Sequence, residues 1–235
     1  MKVHFLLLTI MSATILSCKN EDVKTYTVKK IQRTEIVVAG KGDDSQWTIA
    51  NELTDFIYPW ENETPPRTSF KALHSNDWLY CFYNVIDENV QVLVKSNEKK
   101  EVIYSDRVEI FFRRDEKMSP YYGLELDPHG RVYDYEAEFH RKFNPNWTWP
   151  AGQLIVKASR TGDGYTVELA VSKESLRQFG LLKGNKIEAG IFRGECIEII
   201  EGADSKIKWI SWVKPDSETP NFHIPSAFGL LVLEE

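Results

Sequence analysis

The sequence predicts an all-β fold, an antiparallel two-sheet β-sandwich of jelly-roll type with one short connector helix. Past residue 22 almost every apolar stretch is about five to nine residues long and rich in Val, Ile, Tyr, Phe and Trp. Turn formers bound each stretch, and that combination marks strands. About ten such stretches recur, more than one sheet face can bury, so two packed sheets are expected.

The chain opens with Lys2, a mostly apolar run from Phe5 to Leu16, and then Ser17 and Cys18. That is the layout of an export signal. The run falls short of the roughly 20 apolar residues needed to span a bilayer. Small Ser17 before Cys18, with Ile15 and Leu16 ahead of it, resembles the bacterial lipobox, in which the cysteine is lipidated and becomes the first mature residue. The reading divides the chain into a signal at 1–17, a tether and first strand at 18–39, and one sandwich at 40–235. It expects an exported lipoprotein anchored through Cys18 and facing the periplasm or the cell surface.

Asp77 to Asp87 reads as a central strand, with Leu79, Cys81, Tyr83 and Val85 on one side and Trp78, Tyr80, Phe82 and Asn84 on the other. The second side should be a half-exposed aromatic surface. Asp106 to Arg113 sets Val108, Ile110 and Phe112 against Arg107, Glu109 and Phe111. Tyr121 to Asp127 and Arg131 to Phe139 flank the Pro128-His129-Gly130 turn and form a hairpin. Leu154 to Arg160 and Tyr165 to Val171 repeat the design around Gly162-Asp163-Gly164, which should place four antiparallel strands side by side. Lys173 to Phe179, stopped by Gly180, is the helix, and strands resume at Lys186 to Cys196, Lys206 to Val213 and Phe228 to Leu233.

The net charge of -6, with no basic stripe, leaves no counterion-replacing surface for a nucleic acid. Cys81 and Cys196 both sit in strand-like runs. They are either a bridge, which an oxidising compartment allows, or two small core residues, the commoner use.

Several pieces, in order, resemble the family 9 carbohydrate-binding modules, a DOMON-like sugar-binding β-sandwich. They are Asp77-Trp78-Leu79-Tyr80, Ser105-Asp106-Arg107-Val108-Glu109-Ile110-Phe111-Phe112, Tyr122 to Pro128 ending in Gly130, Gly164 to Glu168 with its helix, the Arg193 strand, Trp209 to Trp212, and Phe222-His223-Ile224-Pro225 with Phe228 to Leu231. The resemblance implies a site that grips the end of a glucan or xylan chain between two aromatic rings, with polar side chains on its hydroxyls. It puts a hydroxyl-binding carboxylate at Glu109 and a stacking ring at Trp212, and leaves Tyr104 for the second ring. It allows calcium but assigns no ligands, since no acidic run has calcium-loop spacing. The implied partners are an oligo- or polysaccharide, a membrane through the lipid anchor alone, and a glycoside hydrolase.

The residues themselves leave more open. A pyranose needs flat rings for its C–H faces and paired donors and acceptors for its rim, and Glu109, Arg107 and Arg193 suit the rim. Glu109 and Arg107 share a strand face, where a solvated salt bridge is the plainer reading. Trp209 and Trp212 differ by an odd number, so one is core and one exposed; the resemblance selects Trp212 as the exposed ring. Trp147 and Trp149 form either a stacking platform or a loop lid, and Trp60 either a rim ring or a plug. A small endoxylanase-like glycoside hydrolase is the alternative, since Glu125 with Asp127, and Asp134 with Glu136 and Glu138, share strand faces. Alternating acids are the ordinary outer face of a sheet, so no catalytic residue is assigned. The histidines show no metal-ligand spacing, and no nucleophile elbow, phosphate loop or dinucleotide fingerprint is present.

Overall fold

The computed structural model describes residues 23–33, 35–144, 146–200 and 204–235. The signal, Cys18 and the tether as far as residue 22 lie outside the described residues. Among the described residues no helix is long and apolar enough to cross a membrane.

Among the described residues thirteen strands form two sheets joined by β1 (Thr25–Lys30). One sheet runs β7 (Lys142–Asn144), β6 (Val132–Glu138), β5 (Tyr121–Leu126), β4 (Arg107–Arg113), β11 (Lys186–Glu198), β13 (Gly229–Leu233), β1. Short β10 (Leu182–Lys183) and β12 (Lys206–Ser211) also pair with β11. The other runs β1, β2 (Thr68–His74), β3 (Trp78–Ile86), β9 (Gly164–Ser172), β8 (Leu154–Arg160). Every pairing is antiparallel except those of β1, which lies parallel to β13 through Thr25–Val28 and then parallel to β2 through Lys29 and Lys30. The sandwich is therefore mixed rather than wholly antiparallel.

The two hairpins, β5/β6 and β8/β9, do not lie side by side as expected. They belong to opposite sheets, because the connection after β7 carries the chain across one end of the sandwich. Trp149 plugs that end. It is 4% exposed, stands edge-on to Trp147 at 5.6 Å, and its indole N–H donates to Ser175 Oγ at 3.1 Å. Ser175 belongs to α1 (Lys173–Gln178), whose N-cap Ser172 accepts from Glu174 N, while Gly180 follows at φ +70°.

The core lies between the sheets, where Val108, Ile110 and Phe112 face Cys81, Tyr83, Val167 and Leu169. Both cysteines are buried and free. The aromatic outer side of β3 is covered by the segment around Trp47, whose ring packs on Phe82 at 5.5 Å. One carboxylate pins that segment: Glu168 accepts from Trp47 Nε1 at 2.8 Å and from the backbone N–H groups of Ala39, Gly40 and Lys41. Strand β2 is buried along nearly its whole length, on both faces, so it lacks the alternation that marks a half-exposed strand.

Arg193 pairs with Val108 in register and so points into the sandwich. It is fully buried and donates to Asp87 Oδ2 at 2.6 Å, tying β11 to the end of β3. A buried pair that loses one partner strands the other charge, so Arg193→Ala is expected to cost about 3–5 kcal/mol in urea denaturation. A loss under about 1 kcal/mol, in the range of exposed pairs, would contradict this inter-sheet role.

Candidate functional site

Strand register places a patch of chemistry on the outer face of the larger sheet. Arg107, Gly194 and Trp209 stand opposite one another across β4, β11 and β12. Tyr133, Glu125, Glu109 and Phe192 form the neighbouring row across β6, β5, β4 and β11. Alternation along each strand sends all these side chains away from the core. A Cβ on Gly123 would overlap the Tyr135 ring, and one on Gly194 would approach Arg107 Nη1 at 3.0 Å, so these glycines let large side chains lie flat on the sheet.

Arg107 anchors the patch. Its Nε donates to Glu125 Oε2 at 2.7 Å, and its Nη1 donates to the Ile103 and Ser105 carbonyls at 2.9 and 3.3 Å. Its guanidinium lies 5.1 Å from the centre of the Trp209 ring. Glu109 Oε1 is 2.8 Å from the same Nε, but the one hydrogen there points to Glu125. Glu109 Oε1 is thus buried without an aligned hydrogen bond. Burial, and then the neighbouring Glu125 charge, push the Glu109 carboxyl up to about 8 against the pull of Arg107. Burial likewise raises Glu125.

The chain after β12 roofs one side. Phe222 stacks on Phe192 at 4.1 Å, and His223 stacks on Phe111 at 5.1 Å with its Nδ1 2.8 Å from the Tyr121 hydroxyl. Burial, then the cations Arg141 and Arg107, hold His223 down to about 3, so it is neutral. Under this roof a hollow of about 50 Å³ opens between Trp60, Trp209 and Phe222, with Arg107 and Glu109 at its base. It adjoins a wider one of about 380 Å³ framed by Tyr104, Tyr133, Phe143 and Trp209, and the two share Arg107, Glu125, Arg141 and Trp209. Exposed Arg141 reaches over the rim, donating to Asn221 Oδ1 at 3.0 Å, and has no carboxylate partner among the described residues.

Of the residues singled out in the sequence, Glu109, Arg107, Tyr104 and Trp60 come together here. Trp60 is a half-buried rim ring, fixed by its indole N–H on the Ser217 carbonyl at 2.7 Å and packed on Phe222. Trp212 and Arg193 do not belong to the patch. Trp212 is 2% exposed within the core, its ring seated where a Cβ on Gly229 would be, so it presents no face to a ligand. The odd spacing of the two tryptophans holds, but Trp209 is the outward one. Trp147 and Trp149 form the lid at the end of the sandwich and no platform. Trp209, Tyr133, Arg141, Phe143 and His223 were not picked out from sequence as site residues. The parity of Trp209 and the pairing of Glu125 opposite Glu109 were the available signals.

Among the described residues no group of three or more His, Cys, Asp or Glu is arranged to hold a metal ion. The acids beside the first hairpin are already satisfied. Asp127 accepts from the His129 and Arg131 N–H groups and from Arg131 Nε, while Glu101 accepts from Arg131 Nη1 and three backbone N–H groups.

The solved structures that match share this fold. A protein from Bacteroides uniformis ATCC 8492, named for an inferred carbohydrate-binding role, matches with a TM-score of 0.71 at 19% identity over 90% of this chain and 100% of that one. A family 9 carbohydrate-binding module from Caldicellulosiruptor kristjanssonii matches in its glucose complex with a TM-score of 0.55 at 20% identity, over 90% of this chain and 96% of that one. Its cellotriose complex gives 0.54 at 20% identity, over 90% and 94%. No curated protein matches the sequence. The model of the family described as carbohydrate family 9 binding domain-like matches residues 38–235, nearly the whole described sandwich, and the chain belongs to that family.

Proposed function

We propose that the protein binds a glucan- or xylan-type oligosaccharide in the groove over Arg107, as an exported, lipid-anchored module that supports polysaccharide breakdown by a partner glycoside hydrolase. One observation carries the binding reading: Glu109 Oε1 is buried with no aligned hydrogen bond at the base of a hollow walled by aromatic rings. A buried polar atom left so is costly, and a ligand hydroxyl would relieve it. The rings supply the apolar face that a pyranose needs, and the guanidinium and carboxylates supply its rim. Family membership and the sugar-bound relatives support the same reading. The anchor and export reading is supported by the run from Phe5 to Leu16 before Ser17 and Cys18.

Hydrolysis has one feature in its favour, since burial and the neighbouring Glu125 push the Glu109 carboxyl up to about 8. Both acids, however, rise from the same sheet floor onto one guanidinium. An acid and a nucleophile or base must flank the bond instead. No reducing ends are expected on prolonged incubation with xylo- or cello-oligosaccharides; their release would favour the hydrolase.

Isothermal titration with these oligosaccharides is expected to show binding, and Trp209→Ala to lose about 1–3 kcal/mol of affinity, by analogy with other single-ring stacking losses. Trp212→Ala should instead cost about 3–5 kcal/mol of stability, as for other buried large aromatics. Unchanged affinity in Trp209→Ala would place the site elsewhere.

The same groups set a pH dependence. Glu109 ordinarily titrates near 4.5 and is raised to about 8 here, so across that interval the folded chain keeps a proton that the unfolded chain has released. Its contribution to stability falls as pH rises through the interval. Buried Asp106, raised to about 7, acts in the same direction. His223, held near 3 against an ordinary 6.5, acts in the opposite direction, losing stability as pH falls from 6.5. Between pH 6.5 and 8 the melting temperature should therefore decline, and Glu109→Gln should flatten the decline. An unaltered slope in that variant would show that Glu109 is already ionised in the folded protein.

A further inference from the structure

The groove continues beyond Tyr104. That residue ends the 3-10 turn Lys99–Tyr104, and its half-buried ring divides the 380 Å³ hollow from another of about 700 Å³. The two hollows share Tyr104, Asp204 and Ser205, and the farther one is walled by Leu93, Lys100 and Ile200. The Tyr104 carbonyl accepts from Ser205 Oγ at 2.7 Å, which fixes the divider, while the phenol hydroxyl has no partner among the described residues.

The far wall is built around one carboxylate. Glu101 accepts from the backbone N–H groups of Lys95, Ser96 and Asn97 at 3.1, 2.6 and 3.2 Å, and from Ser96 Oγ at 2.7 Å. Arg131 clamps the same loop, donating to Glu101 at 3.0 Å and to the Leu93 carbonyl at 2.6 Å. The Ser96 and Lys95 bonds hold the Glu101 carboxyl down to about 2, so it stays ionised wherever the protein is folded at ordinary pH. A loop closed on its own anion is preorganised, and a ligand ordering nothing on arrival loses little affinity to entropy. Lys95 and Lys100 line the hollow together with Glu98, Glu101 and Asp204, so it offers no excess of positive charge to a polyanion, which favours a neutral ligand.

We propose that this hollow is a second saccharide position, so that the site takes a neutral oligosaccharide running across the Tyr104 ring, with Glu101 as the positioning residue of the far wall. The inference rests on the carbohydrate reading of the first hollow. Titrating the glucose-to-cellotetraose and xylose-to-xylotetraose series separates the two. Affinity is expected to rise about tenfold from the shortest ligand bound to the tetramer, the gain of one further contacted unit. Glu101→Gln, whose amide cannot accept from all three N–H groups, should lose that gain while leaving the shortest ligand's affinity unchanged. The Lys100→Ala, Ile200→Ala double variant, which leaves the wall's hydrogen bonds in place, should do the same. Binding that is flat with length, or a gain kept in both variants, would overturn the second position and leave the first standing. A gain shown only by an oligogalacturonate series would overturn its neutral character. Failure of every ligand in the series to bind would remove both readings.

Discussion

A guanidinium buried on the outside of a sheet is the constraint around which the groove is arranged. Arg107 has its charge shared by Glu109 and Glu125, its Nη1 spent on two carbonyls, and its plane set against Trp209. Such an arrangement contributes little net stability, because the desolvation of three ionisable groups offsets most of their attraction. What it supplies is position. One donor serving two acids leaves the second acid unsatisfied at a fixed point under the aromatic rim, and a fixed, unsatisfied acceptor is what a hydroxyl-bearing ligand can use.

The topology explains why that point is roofed. Strand β11 is thirteen residues long and has two neighbours along one edge, β13 beside Lys186–Ala189 and β12 beside Phe192–Glu198. Where β12 ends, the chain must leave the sheet and return to start β13 beside it. The loop in between has only the outer face to cross, and Phe222 and His223 are the side chains it lays down there. The roof is a consequence of two short strands sharing one long partner.

Much of the fold is legible in the alternation of residue types along single strands and in the turn formers that separate them. The runs of β3 and β4 are legible from alternating residue types, those of β5, β6, β8 and β9 from the turn formers between them, and the Gly180 stop marks the end of the helix region. What escaped was set by partners far away in sequence. Strand β2 carries no alternation because both its faces are covered. The hairpins were placed in one sheet because adjacency in sequence was taken for adjacency in space, whereas the segment ending in Trp149 crosses to the other layer. Parallel β1 bridges two sheets, a choice no local pattern encodes.

The site shows the same division on a finer scale. Glu109 and Arg107 were found because residues two apart on a strand share a face, a property any short stretch carries. Trp212 was preferred to Trp209 by the order of residues in a resembling family, and order does not say which face a ring occupies. The strand resolves it: Trp209 lies opposite Gly194 and then Arg107 on the outer face, so three residues on, past the end of β12, Trp212 turns inward against Gly229. A missing side chain at Gly194 makes the space over which Arg107 reaches toward the indole, and a missing one at Gly229 makes the space that buries the other ring. The two glycines, neither of which touches a ligand, decide which tryptophan can.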